Sequence, residues 1–213
     1  MTIAVDVDAV LFDFGGVLAE SPFQAFARYE EEHGLPAGFL RSLNATNQDD
    51  NAWARLERNE LDFDAFCDAY EAEAAAAGGT VEARELLAML VGDIRWEMVE
   101  AVRRCRSQFK TGLLTNNFVR PSAADGRATD LGDVFELFDV IVASSEVGIR
   151  KPDPRFYKLA CHHLEVRPDR AVFLDDLGVN LKPARAMGMV TIKVEDPAVA
   201  LGELEAVLGI ALR

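Results

Sequence analysis

Four short stretches of this 213-residue chain hold side chains that together could carry out a displacement reaction. Asp13 ends one apolar run and is followed by Gly15 and Gly16; Thr115 and Asn116 end a second. Arg150, Lys151 and Pro152 follow a third, and Asp175 and Asp176 end a fourth. The set comprises an attacking carboxylate, hydroxyl and amide donors, a cation and two further carboxylates. Nucleophilic transfer of a phosphoryl group needs all of these: a nucleophile, a divalent cation to cancel charge between two anions, and donors around the phosphate oxygens. Taken singly each has an ordinary reading. Asp13 would be a turn residue, Thr115 a β former, Asp175-Asp176 a pair of helix caps, and Lys151 before proline a solvated turn lysine. It is the set that carries the chemistry.

For the four stretches to converge they must lie at the carboxyl ends of neighbouring strands, where open parallel sheets gather functional groups. Apolar runs predict strands at Ile3 to Phe14, Thr111 to Thr115, Phe138 to Ser144, Ala171 to Leu174 and Val190 to Val194. Helices alternate with the later strands. Asp153-Pro154 opens one with the apolar face Phe156, Leu159, Ala160 and Leu164, and Asp196-Pro197 opens the last. This alternation predicts an α/β fold, a Rossmann-like parallel sheet with helices on both faces. Between the first two strands the pattern is helical. Ser21 reads as an N-cap, with Pro22 at the first helical position, Gln24 completing a capping box and Gly34 closing the end. Phe63, Phe66, Cys67 and Tyr70 keep i, i+3, i+4, i+7 spacing, and Ala83 to Val91 and Trp96 to Cys105 continue in helical period. The expected organisation is a core of residues 1–17 and 93–213, interrupted by a helical insert at 18–92.

Composition bounds the partners. Acids number 36 against 22 bases, a net charge of −14 that opposes nucleic acid and anionic membrane surfaces. Half the residues are hydrophobic, enough to bury a sizeable core. Cys67, Cys105 and Cys161 form neither a disulfide framework nor a CxxC site, so a reducing cytoplasm is the expected setting. The apolar start is interrupted by Asp6, Asp8 and Asp13, which fits neither a signal peptide nor a membrane span. Nothing in the sequence sets the oligomeric state.

The stretches Val10-Leu11-Phe12-Asp13-Phe14-Gly15-Gly16-Val17-Leu18, Leu113-Leu114-Thr115-Asn116-Asn117, Gly148-Ile149-Arg150-Lys151-Pro152-Asp153-Pro154 and Phe173-Leu174-Asp175-Asp176-Leu177-Gly178-Val179-Asn180 resemble, in order, the four motifs of the haloacid dehalogenase superfamily. The helical insert resembles that family's C1-type cap, and the second and fourth motifs are most similar to those of the N-terminal phosphatase domain of soluble epoxide hydrolases. The resemblance implies an enzyme that hydrolyses a small phosphorylated molecule. Asp13 would be the nucleophile, forming an aspartyl-phosphate, and also a Mg²⁺ ligand beside the Gly15 carbonyl and Asp176. Asp175 would hold the metal's waters or the Lys151 ammonium. Thr115 and the Asn116 backbone would hold the phosphoryl group, and Lys151 would neutralise it and keep Asp13 ionised. Oxygen ligands of this kind suit Mg²⁺.

One position departs from the pattern. Phosphatases of the family usually carry a second Asp two residues after the nucleophile as general acid and base, and here Gly15 stands there. That keeps two alternatives open: a haloacid dehalogenase or phosphonate hydrolase using the same Asp13, and a non-catalytic binding module on a degenerate site. Carbon–halogen cleavage needs no metal, whereas paired Asp175-Asp176 suits one, so the phosphatase is favoured. Of the remaining features, Asp6-Val7-Asp8 mimics the first motif, but more strand follows it. His162 and His163 point apart on a helix. Glu30-Glu31-Glu32 reads as a solvated face, and Trp53 and Trp96 as packing residues, with Trp53 also a candidate for the pocket lining. Asn180 would either cap the following helix or orient Asp176.

Overall fold

The computed structural model describes residues 6–90, 92–117 and 131–213; the start of the expected first strand, Ile3 to Val5, and Val91 lie outside them. Five strands, β1 (Ala9–Phe12), β2 (Lys110–Thr115), β3 (Val140–Ala143), β4 (Ala171–Asp175) and β5 (Val190–Lys193), form one sheet in the order β3-β2-β1-β4-β5. Every pairing is parallel, as the alternation of strands and helices requires. The register sets Phe12 between Leu113 and Leu174, so β1, β2 and β4 end at nearly the same height. Asp13 N–H still donates to the Leu174 carbonyl at 2.9 Å, which holds the first residue beyond β1 against the end of β4.

β1 is fully buried and alternates between two cores. Val10 and Phe12 pack with Met98, Val102, Leu201 and Leu204, from α6 (Trp96–Arg106) and α11 (Pro197–Leu208). Ala9 and Leu11 face Phe156, Tyr157, Leu181 and Ala184, from α9 (Pro154–Leu164) and α10 (Gly178–Ala186). β1 is shorter than expected. Asp8 is exposed and, with Asp6, pairs with Arg170 at the amino end of the sheet, so the upstream look-alike of the first motif lies at the wrong end for the site.

Between β1 and β2 run α1 (Pro22–Glu32), α2 (Phe39–Ala45), α3 (Ala52–Glu57), α4 (Phe63–Ala76), α5 (Ala83–Met89) and then α6. α1 to α5 close a third apolar cluster around Phe26, Tyr29, Leu40, Phe66, Tyr70 and Leu86. α2 and α3, of seven and six residues, are too short for periodicity to reveal. The acidic triplet is not uniformly solvated. Glu31 and Glu32 are exposed, but Glu30 is buried and its two oxygens accept from Gly38 N–H at 2.7 Å and Leu40 N–H at 2.8 Å. α2 begins at a left-handed glycine that has no side chain to cap it, so Glu30 satisfies those amides from α1. Trp96, expected to pack, is 58% exposed. Gly132–Phe135 (α7) and Ser144–Val147 (α8) are single turns, the second beginning where the expected third strand ends. Among the described residues, no helix is long and apolar enough to cross a membrane.

Two outcomes are expected. Glu30→Ala orphans the buried Leu40 amide and frees that of Gly38, and lowers unfolding stability by about 1–3 kcal/mol, read as a shift of the urea midpoint. Cys67, Cys105 and Cys161 are free and buried, with burial pushing the Cys105 thiol up to about 12 and that of Cys161 up to about 11. Thiol reagents should therefore label the folded protein slowly at neutral pH and the unfolded protein at all three cysteines.

Candidate active site

Asp13, Asn116, Lys151, Asp175 and Asp176 converge above the carboxyl edge of β1, β2 and β4, and Lys151 stands at their centre. Its Nζ lies 2.7 Å from Asp13 Oδ2 and 2.8 Å from Asp175 Oδ2, and the residue is 1% exposed. Asn116 fixes it there: its Oδ1 accepts from Lys151 N–H at 2.9 Å and its Nδ2 donates to the Lys151 carbonyl at 3.1 Å. The Asn116 side chain, read from the sequence among the donors to the phosphate oxygens, thus serves to place the cation. Asn117 ties the same strand end to the next strand's end, accepting from Ser145 Oγ at 3.0 Å while its N–H donates to Ser144 Oγ at 2.9 Å.

Asp175 is wholly buried and its oxygens are fully engaged. Oδ1 accepts from Leu177 N–H at 2.8 Å and Asn180 Nδ2 at 3.0 Å; Oδ2 accepts from Asn180 Nδ2 at 3.0 Å and from Lys151. Asn180 therefore orients Asp175, the neighbour of the residue expected. Tyr157 Oη donates to the Asn180 carbonyl at 2.7 Å and holds it in turn. Asp176 reaches the other way. Its Oδ2 accepts from Ser21 Oγ at 2.9 Å, so Ser21 makes no side-chain cap of α1 and serves the site instead. Gly16, at φ +77°, leaves room for Asp176: a Cβ there would sit 2.2 Å from Asp176 Oδ2.

Electrostatics follow from burial. Carboxylate oxygens of Asp13, Asp175 and Asp176 lie within 4.8 Å of one another. With all three carboxylates ionised, one ammonium leaves two negative charges uncompensated in a largely buried cluster. Burial pushes the Asp13 carboxyl well above the ordinary range, with Lys151 opposing and Asp175 adding to the rise. Burial and Asp175 likewise raise Asp176, against Ser21 and Lys151. For Lys151 burial acts downward, but Asp13 and Asp175 outweigh it and raise its hold on the proton. One divalent cation would balance the cluster. Hard oxygen donors suit it, and Asp13 and Asp176 keep lone pairs free to meet it, whereas those of Asp175 are taken.

A cavity of about 290 Å³ opens over this cluster, between the sheet edge and the helical insert. Asp13, Gly15, Asn116, Lys151 and Asp176 contribute to its floor; Phe23, Phe26 and Trp53 line it from the insert. Thr115 ends β2, half-buried, and is not among the described residues that line the cavity. Four charged residues with no expected role also line it, Arg41, Asp49, Glu57 and Arg150. Glu57 of α3 and Arg150 of the turn after α8 approach to 3.1 Å. A larger, more open hollow of about 740 Å³ lies at the amino ends of the strands, against Asp8, Lys110 and Asp139, away from all four motifs. His162 and His163 are exposed and belong to no metal-ligating cluster among the described residues.

Residues 7–188 match the family model of the haloacid dehalogenase-like hydrolases. The chain belongs to this family. It is a hydrolase built on that fold. Bifunctional epoxide hydrolase 2 of Sus scrofa is 36% identical over 217 residues, which cover 96% of this chain and 39% of that protein, so the chain spans well under half of its relative. Other relatives are named as a phosphatase and as a haloacid dehalogenase. Among solved structures, a predicted HAD-like family hydrolase from Porphyromonas gingivalis superposes with a TM-score of 0.65 at 18% identity, covering 93% of this chain and 98% of that one. An Asp12Ala variant of a HAD family enzyme from Bacteroides thetaiotaomicron, solved with magnesium and inorganic phosphate, has a TM-score of 0.60 at 16% identity, covering 88% and 93%.

Gly16→Ala should displace Asp176 and strain the left-handed turn. Hydrolytic activity and thermal midpoint are expected to fall together; a variant with both at wild-type levels would show that Asp176 can move aside without cost.

Proposed function

We propose that this hydrolase is a Mg²⁺-dependent phosphatase of a small organic phosphate, working through an aspartyl-phosphate at Asp13, with residues 18–92 as the cap over a core of 1–17 and 93–213. The observation that carries the reading is the charge of the site: three carboxylates around one lysine call for a divalent cation. Asp13, the Gly15 carbonyl and Asp176 would hold Mg²⁺, with Asp175 beside them. The ion would supply positive charge between the nucleophile and an anionic phosphoryl group.

The chain's own residues supply the rest. Lys151 opposes the burial that raises the Asp13 carboxyl, favouring its ionised form, and offers positive charge to the equatorial phosphoryl oxygens. Asp175, through Asn180 and Tyr157, holds Lys151 in place. Asn116 fixes the lysine backbone and lines the cavity at the end of β2, where its backbone would steady the phosphoryl group; Thr115, the other residue expected to do so, lies outside the cavity lining. Phe23, Phe26 and Trp53 exclude water and offer an apolar wall to the organic part of the substrate. The net charge of −14 argues against nucleic acid or membrane partners. Three free cysteines fit a reducing cytoplasm.

Gly15 favours a second reading, a haloacid dehalogenase or phosphonate hydrolase using Asp13. A non-catalytic module is a third. The test is a panel of phosphate esters and 2-haloacids with and without Mg²⁺, run beside Asp13→Asn. Metal-dependent phosphate release that EDTA abolishes and Asp13→Asn reduces by at least about 10³-fold is expected for loss of a covalent nucleophile. Halide release unaffected by EDTA would establish the dehalogenase instead, and no turnover by the wild type would leave the binding module.

A further inference from the structure

We propose that Glu57, carried on α3 of the helical insert, is the proton donor and acceptor for the leaving group that position 15 cannot supply; the proposal rests on the phosphatase reading above. Position 15 offers no such group and little space for one. A Cβ there would meet Pro22 Cδ at 3.3 Å and Cγ at 3.5 Å, so a side chain would start against the proline ring. Glu57 lines the same cavity as Asp13 from the insert side. It is 8% exposed, and its Oε1 accepts from Trp53 Nε1 at 2.9 Å, which fixes the carboxyl in one orientation. Oε2 is buried without a hydrogen-bond partner among the described residues; Arg150 Nη1 is 3.1 Å away but not aligned to donate. A buried carboxyl oxygen that an ion pair holds but no hydrogen bond engages, beside the cavity, is free to carry a proton.

The surroundings suit a group that exchanges a proton. Burial raises the Glu57 carboxyl, with Arg150 opposing and Lys151 and Arg58 acting more weakly in the same direction. An anionic phosphoryl group entering the cavity would compete for Arg150, weakening the influence that keeps Glu57 ionised. Other carboxylates on the cavity wall are less suited: Asp176 is engaged by Ser21 and belongs to the cation cluster, and Asp49 is exposed.

In the first step an Asp13 oxygen bonds to phosphorus, the bond from phosphorus to the leaving oxygen breaks, and the Glu57 proton passes to that oxygen, releasing an alcohol. In the second, water attacks phosphorus, its proton passes to the Glu57 carboxylate, and the bond from phosphorus to Asp13 breaks, releasing phosphate. Both residues return to their starting forms.

The test compares kcat/KM, which reports the first step, for nitrophenyl phosphate and for an alkyl ester such as glycerol phosphate. In Glu57→Gln the alkyl ester should lose about 10²–10⁴-fold, while the nitrophenyl ester, whose leaving phenolate needs no proton, loses less than about tenfold. The nitrophenyl rate also reports that the site is assembled. Equal loss on both esters overturns the proposal unless the variant has misfolded. Glu57→Ala with formate in the buffer then decides: formate restoring only the alkyl ester supports the proposal, and no rescue overturns it. Wild-type protein inert toward both esters removes the phosphatase reading and the proposal with it, an outcome distinct from equal loss.

Discussion

The site depends on one buried ammonium held between two buried carboxylates. Taking Lys151 out of water costs several kcal/mol per ion, and only close, well-oriented partners offset it. Asp13 and Asp175 lie within 2.8 Å and meet that condition, but their own positions come from different strands. β1 delivers Asp13, β4 delivers Asp175, and the turn after α8 delivers Lys151. The pairing of β1 with β4 brings the two acids together, and Asn116 at the end of β2 pins the lysine backbone. Removing either carboxylate would leave the buried ammonium with one close partner in place of two.

The same geometry leaves the cluster negative. With Asp176 added, the carboxylates outnumber the ammonium by two charges, which a phosphate would only worsen. A strongly acidic protein accepts an anionic substrate when a local cation reverses the sign of the field where it binds. Ser21 and Gly16 belong to this economy, one orienting Asp176 and the other leaving it space. The helical insert then adds aromatic walls and Glu57, which meets Arg150 of the turn after α8.

Much of this was legible in the chain. Apolar runs ending in Asp13, Thr115-Asn116 and Asp175-Asp176 mark buried parallel strands with polar ends, because a strand covered on both faces cannot alternate and its functional groups must wait until the sheet stops. α1 and α4 announced themselves by caps and period. α2 and α3 did not, being too short, and they carry Arg41, Trp53 and Glu57, which line the cavity. The Asn116 clamp, the service of Ser21 to Asp176 and the burial of Glu30 were likewise hidden, since each joins residues whose partners are set by packing rather than by spacing.

By itself the sequence determined the α/β class, the helical insert, three strand-end motifs and the lysine turn, because period, turn chemistry and residue type are local properties. Tertiary structure alone decided which acid Lys151 and Asn180 serve, that Thr115 does not line the cavity, and which residues of the insert meet Asp13 across it. Those outcomes turn on distances of about an ångström between segments far apart in the chain, and no local pattern encodes them.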